Sequence, residues 1–259
     1  KFIDVNVGIT YEEISAQLGK KFLLKSRKMG YDGYGNYTVK SKKDFFDGLK
    51  KLQLRSALIM AEEFVPFEKE LAIMVVRTDK EIKTYPVVET IQENHICKIV
   101  LAPAEISAKV KKQAEEIAIA SIKSIKGKGL FGVELFLTKD EKIFVNEIAP
   151  RPHNSGHYTI EGCKISQFEN HIRAVLNLPL GSTELVNKYA VMINLLGKGK
   201  SATTMKSLNK ILNDKEIHLH IYGKEISKLG RKMGHITMVG DELKLILSKL
   251  KKAEKEIII

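Results

Sequence analysis

"LFGVELFLTKDEKIFVNEIAPRPHNSGHYTIEG" occupies residues 130–162. Its first part reads as a β-hairpin of apolar strands around a turn at Asp140-Glu141. With that turn Lys139 faces Lys142, Phe136 faces Val145 and Glu134 faces Glu147. Directly opposed Cβ atoms of an antiparallel pair lie ~4.5–5.5 Å apart, so two carboxylates there repel. The neighbours Val133, Leu135, Phe144, Val145 and Ile148 are apolar, which argues against simple solvation of the pair. A hard cation such as Mg²⁺, which takes oxygen ligands, removes the conflict. Asn146 offers a further oxygen. The bland alternative is two unlinked, exposed glutamates, and one residue of slip changes the pairing. The second part, residues 146–162, collects Arg151, His153, Asn154, Ser155 and His157 among prolines and glycines. It is too polar for a core strand and too interrupted for a helix. Pro152 and Gly156 therefore speak against an i,i+4 zinc pair at His153 and His157.

Upstream, "KKFLLKSRKMGYDGYGNYTVKS" reads as strand, glycine-rich loop, strand, and "KKDFFDGLKKL" as a short amphipathic helix. The loop, Gly30, Tyr31, Asp32, Gly33, Tyr34, Gly35 and Asn36, lets backbone amides approach a ligand closely, with Lys25 before it as a point charge. A tight turn with no ligand fits the same residues. "SALIMAEEFV" is a strand ending in Glu62 and Glu63, and Glu70 follows. The edge Glu63-Phe64-Val65 suits backbone bonding to an adenine, although a solvated acidic bend would look alike. "KELAIMVVRTDKEIKTYPVVET" reads as a hairpin with an alternating apolar face about "TDKE". "SAKVKKQAEEIAIASIKSIKGKG" is a helix with Val110, Ala114, Ile117, Ser121, Ile122 and Ile125 on one face, ended by Gly127 and Gly129. "NLPLGST" reads as a linker, followed by short strands and a closing helix. "GKGKS" at 197–201 is not a P-loop, because Asn194 stands where its first glycine would fall. Hairpins mixed with helices make the expected class α+β.

The chain has 259 residues and a net charge of +12, which points to anionic partners. The lysines are scattered and few aromatics lie among them, which argues against a stacking platform for nucleic acid. No apolar run approaches the ~20 residues of a membrane span. With no apolar stretch behind Lys1, no signal peptide is expected there. Cys97 and Cys163 form no CxxC pair, so free thiols in a reducing cytoplasm are expected.

Together, "GYDGYGN", "EEFVPFEKEL", "APAEIS", "VELFLT", "VNEIAPRPHNSGHYTIEGCKISQFENHIRAVLNLPLG" and "YGKEISKLGRKMGHIT" resemble the ATP-grasp superfamily, and within it the 5-(carboxyamino)imidazole ribonucleotide synthases. The resemblance runs from about residue 20 to residue 240. It implies two α+β lobes gripping ATP, at 1–66 and 67–182, and a small β-rich C-terminal domain at 183–259. It implies an ATP-dependent carbon–nitrogen ligase, in which bicarbonate attacks the γ-phosphate and aminoimidazole ribonucleotide captures the carboxyl group. By similarity Lys25 and Gly30–Asn36 cradle phosphates, Glu62, Glu63, Phe64 and Val65 line the adenine, and Glu70 holds the ribose. Glu134 and Glu147 hold Mg²⁺ with Asn146 beside them. Arg151, His153 and Asn154 stabilise carboxyphosphate. Lys224 and Arg231 clamp the nucleotide's phosphate, and Asp32 contacts its imidazole. A cytoplasmic homodimer that hands its product to a mutase is also implied, with no nucleic acid and no membrane as partners. Two departures are expected to matter. Gln92 stands where the family carries histidine, and the family's upstream Rossmann-like domain is expected to be absent. The competing readings are another ATP-grasp carboxylating ligase and a basic nucleic-acid-binding protein.

Overall fold

A computed structural model describes residues 1–28, 35–54, 58–199, 201–202 and 208–257. Gly30, Tyr31, Asp32, Gly33 and Tyr34 of the glycine-rich stretch lie outside the described residues. The chain divides into two compact units, Lys1–Pro66 and Phe67–Ile259.

The first unit contains β1 (Phe2–Asp4), α1 (Tyr11–Leu18), β2 (Phe22–Ser26), β3 (Asn36–Val39), α2 (Lys42–Gln53) and β4 (Ile59–Glu63). Its sheet is antiparallel, in the order β1-β4-β2-β3. Thr10 and Glu13 close a capping box on α1, and Ser41 caps α2 by accepting from the Asp44 amide. Both helices bury one stripe: Ile14 and Leu18 meet Phe22, Leu24, Phe45, Leu52 and Ala61. Each such large side chain contributes roughly 1.5–3 kcal/mol by leaving water. Alternation along β2 then turns Leu23 and Lys25 to the other face.

The second unit begins with β5 (Phe67–Arg77), β6 (Ile82–Thr84), β7 (Val88–Glu93), β8 (Ile96–Ala102), α3 (Ala108–Ile125), β9 (Gly129–Thr138) and β10 (Ile143–Ala149). A 3₁₀ turn at Asn154–Gly156, α4 (Thr159–Gly162) and α5 (Gln167–Val175) follow. Next come β11 (Tyr189–Leu196), β12 (Ser201–Ala202), α6 (Leu208–Leu212), β13 (His218–Ile221), β14 (Ile226–Ser227), β15 (Lys232–Gly240) and α7 (Leu243–Glu256). A nine-stranded sheet runs β10-β9-β5-β7-β8-β11-β15-β13, with β6 on β5. Because β11 pairs with β8 and β15, the segment expected at 183–259 continues the same sheet.

Helices cover this sheet on both faces. Val110, Ala114, Ala118 and Ile122 of α3 pack on Leu71, Ile73, Val75, Val133 and Leu135. On the other face Ala72, Met74 and Val76 meet Tyr85, Tyr158, Ala174 and Leu180. The run Leu71–Val76 is accordingly buried on both sides, rather than alternating as its hairpin reading implied. Ile125, expected on the buried face of α3, is 51% exposed, since the helix ends beside it at left-handed Lys126.

The hairpin of β9 and β10 differs in register from the sequence reading. Three residues, Lys139 to Glu141, join Thr138 to Lys142, and Glu141 takes a φ of 57°. Phe136 therefore faces Phe144, not Val145, and Lys139 does not face Lys142. A β-bulge between Val145 and Glu147 then inserts Asn146 and brings Glu147 opposite Glu134. Without the bulge Asn146 would stand opposite Glu134 and Glu147 would turn to the other face.

Candidate active site

One face of the nine-stranded sheet changes character along its length. Its central part is the apolar cluster around Ala72, Met74 and Met192. Toward one end the same face carries Glu147 on β10, Glu134 on β9, Glu70 on β5 and Thr90 on β7. Farther across it carries Asn194, His235 and His220 in register on β11, β15 and β13. The segment from Pro150 to Cys163 lies over this face. Gly132 admits it: a Cβ there would come within 2.5 Å of His153 Cβ.

The acidic end holds unfavourable charge. Burial, then the neighbouring Glu147 and Glu70, push the Glu134 carboxyl up to about 7, with only partial relief from Lys232 and Asn146. The Asn146 amide donates to Glu134 Oε2 at 3.2 Å. Glu70 is also raised, mainly by burial, and Gln92 partly offsets this by hydrogen bonding to it. His153 Nε2 lies 3.5 Å from Glu134 Oε1. Burial and the nearby Arg151 hold the His153 pKa down, to about 4, so this contact joins a neutral imidazole to the carboxyl. Opposed carboxylates with the Asn146 amide beside them suit an oxygen-ligated divalent cation.

The Arg151 side chain is exposed, and its Nη1 donates to the Pro152 carbonyl at 3.1 Å. Asn154 and Asn194 exchange amide hydrogen bonds at 2.9 and 2.7 Å, and Asn194 also donates to the Cys97 carbonyl. Asn154 is thus clamped to the sheet, an anchoring that spacing alone gave no hint of. Lys224 Nζ donates to the Lys232 carbonyl at 2.5 Å, and Arg231 Nη1 to the Ile226 carbonyl at 2.7 Å. Both cations sit on the chain between β13 and β15.

Beyond Asn154 lies a histidine-rich group that sequence reading missed. His220 and His235 stack at 4.4 Å, and His157 lies 5.3 Å from His235. Glu161 Oε1 meets His220 Nε2 at 2.6 Å, and the Tyr222 hydroxyl meets His235 Nδ1 at 2.8 Å. Burial lowers His157 to about 4 and His235 to about 3, so both are neutral. Ligand atoms of Glu161, His220 and His235 fall within 4.8 Å of one another, but the two rings stack with an interplanar angle of 13°, so their in-plane lone pairs lie in separate, nearly parallel planes. The period-2 pattern of "HLHIYG" and "GHIT" was the available signal.

Within the first unit, Lys25 forms an ion pair with Glu62. Glu63 is exposed, and Lys21 sits 3.2 Å from the centre of the Phe64 ring. Val65 is half-buried, Gly35 is buried and Asn36 exposed. Glu70, Glu134, Asn146, Glu147, Arg151, His153 and Asn154 thus belong to one sheet face and the segment lying over it, while Lys25 and Glu62–Val65 belong to the other unit. Cys97 and Cys163 are free thiols. No helix among the described residues is long and apolar enough to cross a membrane.

Antiparallel α+β units with paired acidic residues on a sheet hairpin define an ATP-grasp protein, and the ATP-grasp domain family matches residues 1–168. The phosphoribosylaminoimidazole carboxylase C-terminal domain family matches residues 190–249. A phosphoribosylaminoimidazole carboxylase from Ogataea methanolica is 44% identical over 237 residues, covering 90% of this chain and 43% of its own. The carboxyaminoimidazole ribonucleotide synthase of Aspergillus clavatus, crystallised with ATP, superposes with a TM-score of 0.88 at 38% identity, over 99% of this chain and 68% of that one. The N5-carboxyaminoimidazole synthase of the same organism, in complex with ADP and 5-aminoimidazole ribonucleotide, gives 0.85 at 35% identity, over 98% and 68%. The chain belongs to the carboxyaminoimidazole ribonucleotide synthase family of ATP-grasp proteins. It spans about two fifths of the Ogataea relative's length.

Proposed function

We propose that this chain carries the ATP-dependent carboxylation of aminoimidazole ribonucleotide. A bicarbonate oxygen attacks the γ-phosphorus and the bond to ADP breaks, giving carboxyphosphate. The exocyclic amine then attacks the carboxyl carbon, the C–O bond to phosphorus breaks, and the amine loses a proton. The products are 5-(carboxyamino)imidazole ribonucleotide, ADP and phosphate. The observation that carries the reading is the bulged hairpin, which opposes Glu134 and Glu147 on one sheet face, where burial and then the Glu147 charge raise the Glu134 carboxyl to about 7.

Those two carboxylates, with Asn146, would hold Mg²⁺, which when bound neutralises phosphate charge. Arg151 offers a planar fork matched to bicarbonate and phosphate oxygens, and its exposed side chain leaves donors available. His153, kept neutral, and Asn154, clamped by Asn194, complete a preorganised donor set. Lys25 and residues 30–36 would cradle the ATP phosphates, Glu62, Glu63, Phe64 and Val65 the adenine, and Glu70 the ribose. Lys224 and Arg231 would bind the ribonucleotide phosphate, and Asp32 its imidazole. A homodimer in the cytoplasm, supplying a mutase that consumes the labile carbamate, completes the proposal.

The test is ADP release by the purified chain with Mg²⁺ and bicarbonate, with and without aminoimidazole ribonucleotide. Stimulation by the ribonucleotide that disappears in Glu147→Ala supports the reading. ADP release indifferent to the ribonucleotide contradicts it.

A further inference from the structure

His153 and His157 share a partner that neither motif nor spacing disclosed. Gln167, the first residue of α5, is fully buried at 0% exposure. The three polar contacts of its side-chain amide leave no choice in how the amide is oriented. The His153 backbone N–H is an obligate donor and lies 3.0 Å from Gln167 Oε1, so that atom is the oxygen. The amide nitrogen then faces the His153 carbonyl at 2.8 Å and His157 Nδ1 at 2.9 Å. Its two hydrogens serve these two acceptors. Gln167's own backbone N–H donates to Thr159 Oγ1 at 2.9 Å, fixing the start of the helix.

A donor that has no lone pair to offer forces its partner to accept. His157 Nδ1 therefore carries no proton, and in the neutral ring Nε2 carries it. We propose that Gln167 is a positioning residue that locks His157 in the Nε2–H tautomer and, through the same amide, pins the backbone of His153. The packing is consistent with a built device. At Gly156 a Cβ would come within 2.4 Å of Gln167 Oε1 and 2.8 Å of Met74 Cγ, so glycine leaves the room the amide occupies. Ser155 Oγ meets His153 Nδ1 at 2.7 Å, so the second ring is held from its own side. His157 thereby becomes a single fixed donor beside Arg151, His153 and the histidine-rich group. The tautomer follows from hydrogen-bond polarity alone; its consequence for turnover rests on the carboxylation proposed above.

The test separates the two. ¹⁵N-labelled imidazole resonances of the full chain report which ring nitrogen of His157 is protonated. The expected result is an unprotonated Nδ1 and a protonated Nε2 in the unsubstituted protein. Gln167→Glu has the same shape but replaces the donor with an acceptor, so His157 should move its proton to Nδ1 or become doubly protonated. An Nδ1–H tautomer or an imidazolium in the unsubstituted protein overturns the proposal, and so does a folded Gln167→Glu variant with an unchanged His157. Should Gln167→Glu fail to fold, the unsubstituted protein's spectrum still decides. For turnover, a variant with unchanged ATP affinity should lose about 10-fold or more in kcat, since misplaced groups act on the chemical step. An altered tautomer with undiminished kcat removes His157 from the chemistry and overturns the positioning role.

Discussion

Glu134 stands opposite Glu147, and burial first and then this neighbour raise the cost of ionising Glu134; their conflict is the clearest functional statement any two residues of this chain make. Glu147→Gln removes one of the two opposed charges. The cation-free variant should melt at the same temperature as the unsubstituted chain or a few degrees higher, because relief of repulsion is a gain in stability of the order of 1 kcal/mol. Ribonucleotide-stimulated ADP release should nonetheless fall by about 100-fold or more, as expected when a charge-stabilising group leaves a reaction site. A clear drop in the melting temperature without Mg²⁺ would mean the pair is structural. This pair was legible in the sequence because both partners sit on one hairpin. Asn194 was not, because its partner Asn154 is 40 residues away in the chain, and Gln167 was not, because it meets His153 and His157 through irregular backbone that no periodicity describes.

Among the elements, the hairpin of β9 and β10 teaches most about what a pattern can and cannot specify. Alternation identified the two strands, and a two-residue turn was assumed between them. The actual turn has one more residue, which moved Phe136 from Val145 to Phe144, and the bulge at Asn146 moved the register back. Neither event leaves a mark on hydrophobic periodicity, since a bulge costs only one local pairing. The helix α1 went unread in the sequence because its apolar pattern is short, although Thr10 and Glu13 close a capping box at its start. β9 also makes a packing demand. Gly132→Ala would drive a methyl group to 2.5 Å from His153 Cβ, so the segment over the sheet must lift or the strand must shift. Overpacking of this kind costs ~1–3 kcal/mol, and the melting temperature should fall by several degrees together with activity. Unchanged melting and unchanged turnover would show that the segment does not rest on Gly132.

For the whole molecule, the α+β class was readable from the mixture of hairpins and helices, while the boundary at residue 66 was only implied by the family resemblance. The continuation of one sheet from β8 into β11 was not, because strands 96–102 and 189–196 pair across a long stretch of chain. The acid response is likewise a property of the assembled fold. His153 and His157 have pKa values of about 4 and His235 of about 3, all below the unfolded value near 6.5. Below pH ~6.5 the unfolded chain binds protons that these buried rings refuse, so stability falls as pH drops toward 4. Glu134, raised to about 7, and Glu70, also raised, act in the opposite sense below pH 7, and the three histidines outnumber them. Melting temperatures recorded without Mg²⁺ from pH 7 to pH 5 should therefore decline; a rise across that range would contradict the neutral histidines. On the proposed function, bicarbonate is activated by phosphoryl transfer on this chain. The most direct test follows ¹⁸O from labelled bicarbonate during turnover with ATP, Mg²⁺ and aminoimidazole ribonucleotide. The released phosphate should carry a single ¹⁸O, because the bicarbonate oxygen that attacked phosphorus stays with it. Phosphate free of label, released in step with ADP, would contradict it.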